Sequence, residues 1–290
     1  MKKIFLYPSA ILFLVYLVII LLVCACNSKN NNPKLEGSEA PQENKYQLVW
    51  QDEFNYSGLP DSNRWRYDSE GNKEKWGNDE AQHYTERELK NAWVDNDRLY
   101  ISAIKEQIEG KEFSSARLVS KAEWQHGKIE VKAKLPAARG TWSAIWMMPG
   151  GWSFEDGNWP DIGEIDIMEH VGHDLGVIHA SAHSKDYQWQ TKTQKTDTLS
   201  VSNVHEQFHS YILEWTPDYI QCFVDDSMYF EYRNEGLGES KWPYEKPFYI
   251  ILNLAVGGAW GSLEGIDEEA FPQTMEIEYV RVYQLRGEKN

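Results

Sequence analysis

Gly163-Glu164-Ile165-Asp166-Ile167-Met168-Glu169-His170 reads as a strand that carries three carboxylates within six residues. Ile165, Ile167 and Met168 belong in a sheet, and charge set beside such residues is costly unless the carboxylates act together. Side chains alternate along a strand, so Glu164 and Asp166 share a face. Strict alternation would put Met168 with them and turn Glu169 away. One extra residue, a β-bulge at Ile167-Met168, returns Glu169 to their face. Glu164 and Glu169 then stand about four strand steps apart, or ~13 Å at roughly 3.3 Å per step. Leaning together, each reaching about 4 Å, they leave a gap of ~5 Å, the separation at which one carboxyl attacks an acetal carbon while the other handles the proton.

Strand patterns continue outward from this segment. Ile129, Val131, Ala133 and Leu135 alternate with Lys128, Glu130, Lys132 and Lys134, as in a sheet with one wet face. Leu99 to Ile104 is a second, short strand, and Phe248 to Val256 is apolar on both faces and reads as central. Turn signals at Pro149-Gly150-Gly151, Asp156-Gly157 and Gly257-Gly258 interrupt the runs. Long amphipathic helices are absent, so the class expected is all-β, an antiparallel sandwich. Within 290 residues there is no internal repeat, and 13 Trp, 16 Tyr and 10 Phe supply a large core with aromatics left for a ligand cleft. Trp142 and Trp146 lie four residues apart in a strand-like stretch, hence on one face, where indoles suit the apolar faces of sugar rings; a pair of core tryptophans is the alternative.

The first 26 residues read apart from this domain. Lys2 and Lys3 precede an apolar run from Ile4 to Val23 that ends in Val23-Cys24-Ala25-Cys26, the pattern of an export signal with a lipoprotein cleavage site before Cys26. A plain membrane anchor is the alternative, because about 20 apolar residues span a bilayer. Either way the domain is expected to be exported and membrane-attached, at the cell surface or in the periplasm. Residues 27–45, rich in Asn, Lys, Glu, Pro and Ser, read as a flexible tether, and 46–286 as the folded domain. Cys222 is the one cysteine in that domain, so it has no disulfide partner there and reads as a buried thiol. The formal charge is −16, and loss of residues 1–25 leaves 27 basic against 45 acidic residues, or −18. Such a charge repels polyanions, so nucleic acid is not an expected partner and sulfated galactans are disfavoured. A monomer is expected.

Glu164-Ile165-Asp166-Ile167-Met168-Glu169 resembles the active-site strand of glycoside hydrolase family 16 in its bulged, laminarinase-like form. Similar blocks run from Leu48-Val49-Trp50-Gln51-Asp52-Glu53-Phe54 through Trp76–Glu80, Ser115–Leu118, Arg139–Met148 and Asn253–Gly261 to Met275–Tyr283. The resemblance implies a β-jelly-roll sandwich of two antiparallel sheets with a concave cleft, and endo-hydrolysis of β-1,3-glucan with retention. It implies Glu164 as nucleophile, Glu169 as acid/base and Asp166 between them. It also places Asn78 and Arg117 on sugar hydroxyls, Trp260 in the cleft and His183 beside the leaving-group sugar. Asp79-Glu80-Ala81-Gln82-His83 departs from the family's common Asn-Glu-Leu-Gln-Tyr, which bears on the subsite around Asn78. No cofactor is needed for the chemistry. A structural Ca²⁺ held by Glu53, the Asp97 backbone and Glu278 is implied by some members, although Asp97 stands for the usual glycine and Glu278 for the usual aspartate.

The same residues support rival readings. His170, His173, His179 and His183 suggest zinc, but no metalloprotease helix motif accompanies them. Mixed-linkage glucan hydrolysis and transglycosylation use the same acids. A non-catalytic glycan-binding protein would be expected to lose one or more of the three carboxylates, and all three are present.

Overall fold

Period-two patterning dominates the chain, and the structure, a computed structural model that describes residues 45–153 and 157–287, is built from strands. In chain order they begin with β1 (Tyr46–Asp52), β2 (Trp65–Tyr67), β3 (Gln82–Tyr84), β4 (Ala92–Asp95), β5 (Arg98–Ile108), β6 (Lys111–Ser115), β7 (Arg117–Ser120), β8 (Gly127–Lys134) and β9 (Thr141–Pro149). They continue as β10 (Glu164–Val171), β11 (Val177–His183), β12 (Lys195–Ser200), β13 (His209–Trp215), β14 (Tyr219–Val224), β15 (Ser227–Arg233), β16 (Phe248–Val256) and β17 (Gln273–Leu285). A single turn of helix, α1 (Gly258–Gly261), follows β16. The export signal, Cys26 and nearly all of the tether lie outside the described residues. Among those described, no helix is long and apolar enough to cross a membrane.

Two sheets form the jelly-roll sandwich expected. One has seven strands in the order β12-β11-β10-β9-β16-β7-β2, and the other has ten along the path β15-β14-β13-β8-β17-β5-β6-β3, with β1 on β17 and β4 on β5. The alternating residues of β8 behave as patterned: Ile129, Val131 and Ala133 are fully buried between the sheets, while Lys128, Glu130, Lys132 and Lys134 face outward. Ile129 and Val131 each contribute about 1.5–3 kcal/mol by leaving water, and the smaller Ala133 less. The ten-stranded sheet is not wholly antiparallel, contrary to the sequence reading. β3 runs parallel to β6. The residues between them include the β4–β5 hairpin, enough chain for a parallel return.

β16 lies between β9 and β7 and is buried at every position. One face meets the main core. On the other, Tyr249 and Ile251 join Val119 and Met148 in a second apolar cluster covered by Trp146, Trp152, Trp159 and Ile162. A strand flanked on both faces needs apolar residues on both, which is why its pattern does not alternate. Cys222 is buried and unpaired, as expected.

Candidate active site

The bulge is where the acid spacing requires it. Against β9, Asp166 pairs with Trp146 and Met168 with Ile145; against β11, Asp166 pairs with Ser181 and Glu169 with His179. Ile167 is therefore the extra residue and has no register partner on either flank. Ile165, Ile167 and Met168 are fully buried in the core. Glu164, Asp166 and Glu169 emerge on the other face, together in a cleft of about 680 Å³.

Indoles hold the two glutamates. Trp159 Nε1 donates to Glu164 Oε2 at 2.9 Å, and Trp142 Nε1 donates to Glu169 Oε1 at 3.0 Å. His183 lies across the strand pair from Glu164, with Nε2 3.2 Å from Asp166 Oδ2 and 3.9 Å from Glu164 Oε1. Burial pushes all three carboxyls up, each to about 8. Charge on Asp166 raises both glutamates further, while His183 and the indole N–H groups oppose the rise. Loss of one proton therefore makes the next harder to remove.

This has a consequence for stability. A carboxyl whose folded pKa lies above its unfolded value binds its proton more tightly in the folded state. Its ionisation costs stability progressively as pH rises from about 4.5 to about 8. Glu164→Gln should therefore melt several degrees above wild type at pH 8, a gain of about 2–4 kcal/mol, and close to wild type at pH 4. Thermal melts at the two pH values check this, and an offset independent of pH would contradict it.

The aromatic and polar residues named from sequence gather around the acids. Trp142 and Trp146 both line the cleft. Trp142 meets Trp260 edge to face at 5.4 Å, and Trp260 in turn meets His179 at 4.8 Å. Trp260 is delivered by α1, which starts at Gly258 behind its N-cap Gly257, both at positive φ. A Cβ on Gly258 would lie 3.1 Å from Asn78 O and 3.2 Å from Glu80 Cγ, so the turn packs too tightly for a larger residue. Asn78 donates to Glu80 Oε1 at 3.2 Å. The Arg117 guanidinium lies 4.3 Å from the Trp76 ring and 4.6 Å from the Trp146 ring, with Nε donating to Asp68 at 3.0 Å. Stacking between the two rings and the ion pair with Asp68 fix its position.

Several residues escaped the sequence reading as contributors. Trp159 belongs to a connecting segment, where no periodicity links it to Glu164. Asn253 accepts from Trp146 Nε1 at 2.6 Å and donates to Tyr84 OH at 3.1 Å. Its signal was visible, since an amide in an otherwise apolar central strand needs a reason. Glu80 is buried and held by Gln82 and Asn78, and burial raises its pKa.

The residues proposed for calcium do not fit it as arranged. Arg281 binds Glu53 through two hydrogen bonds, of 2.7 and 2.9 Å. Glu278 sits 2.8 Å from Lys132 and 3.9 Å from Arg98. Calcium needs six to eight oxygens, whereas both carboxylates here already neutralise cations. Asp97 occupies a tight turn at φ 56°, a conformation that explains why glycine would suit the position. The histidines do not form a zinc centre either. Among the described residues the one group of three metal-capable side chains is Glu164, Asp166 and His183, the acid centre itself. His170 is buried and accepts the Gly176 N–H at Nε2, so it braces the β10–β11 turn.

Comparison with known proteins places this geometry in context. The family model for glycosyl hydrolases family 16 matches residues 76–281. A beta-glucanase of Rhodothermus marinus is 45% identical over 275 residues, covering 92% of this chain and 93% of the relative. The crystal structure of the laminarinase from Rhodothermus marinus superposes with a TM-score of 0.79 at 46% identity, over 83% of this chain and 98% of that one. SCLam, a non-specific endo-beta-1,3(4)-glucanase, superposes with a TM-score of 0.80 at 43% identity, over 84% and 92% of the two chains.

Proposed function

This chain belongs to glycosyl hydrolases family 16 and is an endo-β-glucanase, and on that premise we propose that it cleaves β-1,3-glucosidic bonds of laminarin-type glucans with retention of configuration. The observation that carries the reading is the bulge in β10, which brings Glu164, Asp166 and Glu169 to one face of an aromatic cleft. Glu164 attacks the anomeric carbon as carboxylate while Glu169 gives its proton to the departing oxygen. Water then enters, Glu169 takes back a proton, and the glycosyl–Glu164 ester bond breaks. The two roles need opposite protonation. Asp166, His183 and an indole N–H act on both glutamates alike, so it is the coupling between them, in which loss of one proton makes the next harder to remove, that leaves one ionised and one protonated.

Cleft length supports attack within the polymer. Lining residues run from Thr196 on β12 across β11, β10, β9 and β16 to Arg117 on β7. Five strand spacings amount to ~24 Å, room for several sugar rings. Similarity to a non-specific endo-β-1,3(4)-glucanase favours mixed-linkage hydrolysis as a second reading. As part of the same proposal, the domain is exported and tethered through lipid on Cys26, a reading supported by Val23-Cys24-Ala25-Cys26.

Product profiles on laminarin, curdlan, lichenan and agarose test the assignment. Laminarin should be cut internally, lichenan more slowly and agarose not at all. Faster release of agaro-oligosaccharides than of laminari-oligosaccharides would overturn it.

A further inference from the structure

A bulge solves one problem in β10 and creates another. It returns Glu169 to the cleft, but it leaves Ile167 outside both ladders, with its carbonyl inside the core. Buried backbone carbonyls require a donor. Here the donor comes from the opposite sheet: Tyr229 OH donates to Ile167 O at 2.5 Å.

Tyr229 reaches that position because β15 is itself bulged. Cys222 of β14 pairs with Phe230 and Phe223 pairs with Met228, so Tyr229 has no counterpart. Alternation would bury only one of Tyr229 and Phe230, whereas both are buried. β10 and β15 thus each carry an extra residue, and these two residues meet through a hydrogen bond across the sandwich. Burial pushes the Tyr229 phenol well above its ordinary range, with Cys222, Tyr211 and the charges of Glu169 and Asp166 adding to the effect. It therefore stays a proton donor throughout the working pH range.

We propose that Tyr229 is a positioning residue that locks the β10 bulge at Ile167 and thereby aims Glu169 into the cleft. Without the phenol, the alternative open to β10 is a register slip that satisfies the Ile167 carbonyl and turns Glu169 away from Asp166 and Glu164. Tyr229 touches no substrate. The inference rests on Glu169 as acid/base only for its kinetic consequence.

Tyr229→Phe, which keeps the ring, is the test. Folding is confirmed by circular dichroism, and assays are run well below the melting temperature. On laminarin, kcat should fall about 30-fold with KM changed less than about threefold. The basic limb of the kcat pH profile should move to higher pH, because the slip takes Glu169 from beside Asp166, His179 and His183 to the fully buried face of β10. In a Met168-deleted background, which has no bulge, the same substitution should change kcat less than about twofold. Equal losses in both backgrounds would mean general packing and overturn the proposal, as would wild-type kcat in the folded single variant. Carboxyl ¹³C titration of Glu169 without substrate gives a readout independent of the reaction. Its midpoint should rise further above the ordinary glutamate range in Tyr229→Phe, because the slip carries Glu169 from the cleft to the fully buried face of β10, and an unchanged midpoint would overturn the proposal whatever the substrate. If the functional reading were wrong, wild type would be inert on laminarin while this titration still moved.

Discussion

Glu164→Ala is expected to lower laminarin hydrolysis about 10⁴-fold, roughly 5.5 kcal/mol of barrier, because no other carboxylate can reach the anomeric carbon from that face. Asp166 is buried with its Oδ2 3.2 Å from His183 Nε2, and Glu169 is the residue to which the proposed mechanism gives the proton transfer. Truncation leaves a space beside Trp159 that a small anion can enter. Added azide should therefore restore a measurable part of the activity and yield an α-glycosyl azide. Rescue that yields the β-azide, or a variant that keeps wild-type rates, would remove Glu164 from the nucleophile's role.

Register changes in β10 should separate just as sharply. Inserting one alanine between Glu164 and Asp166 turns Glu164 toward the core, where Ile165 now lies, and should leave only background hydrolysis. Deleting Met168 instead gives Glu-Ile-Asp-Ile-Glu, in which plain alternation already places three acids on one face. That variant should keep detectable activity, about 10²–10³-fold reduced, or roughly 3–4 kcal/mol of barrier. Rates of the two variants, each shown to be folded by circular dichroism, decide the matter. An insertion variant more active than the deletion would mean that the faces are assigned wrongly.

Much of this was legible along the chain. The Glu-x-Asp-x-x-Glu spacing required the bulge at Ile167-Met168, and alternation in β8 and the doubly apolar β16 marked two layers. What escaped depends on chain segments meeting from far apart. Nothing periodic ties Trp159 to Glu164, or tells which aromatic residues cover the second face of β16. Pairing of β3 with β6 is parallel and joins segments separated by a hairpin. The cations on Glu53 and Glu278 belong to β17, β8 and β5, so the calcium reading, made from acidic positions alone, could not register them. Tyr229-Phe230 does break the alternation of β15. However, one break in a short strand does not say that a carbonyl on the opposite sheet awaits the phenol.

Early-time proton NMR of laminari-oligosaccharide cleavage by the wild-type enzyme tests the central claim most directly, that the bulge pairs Glu164 and Glu169 for double displacement. The first-formed reducing end should carry the β configuration, with the α anomer appearing only as mutarotation proceeds. If the α anomer appears first, water has attacked directly, and Glu164 and Glu169 do not work together as nucleophile and acid/base.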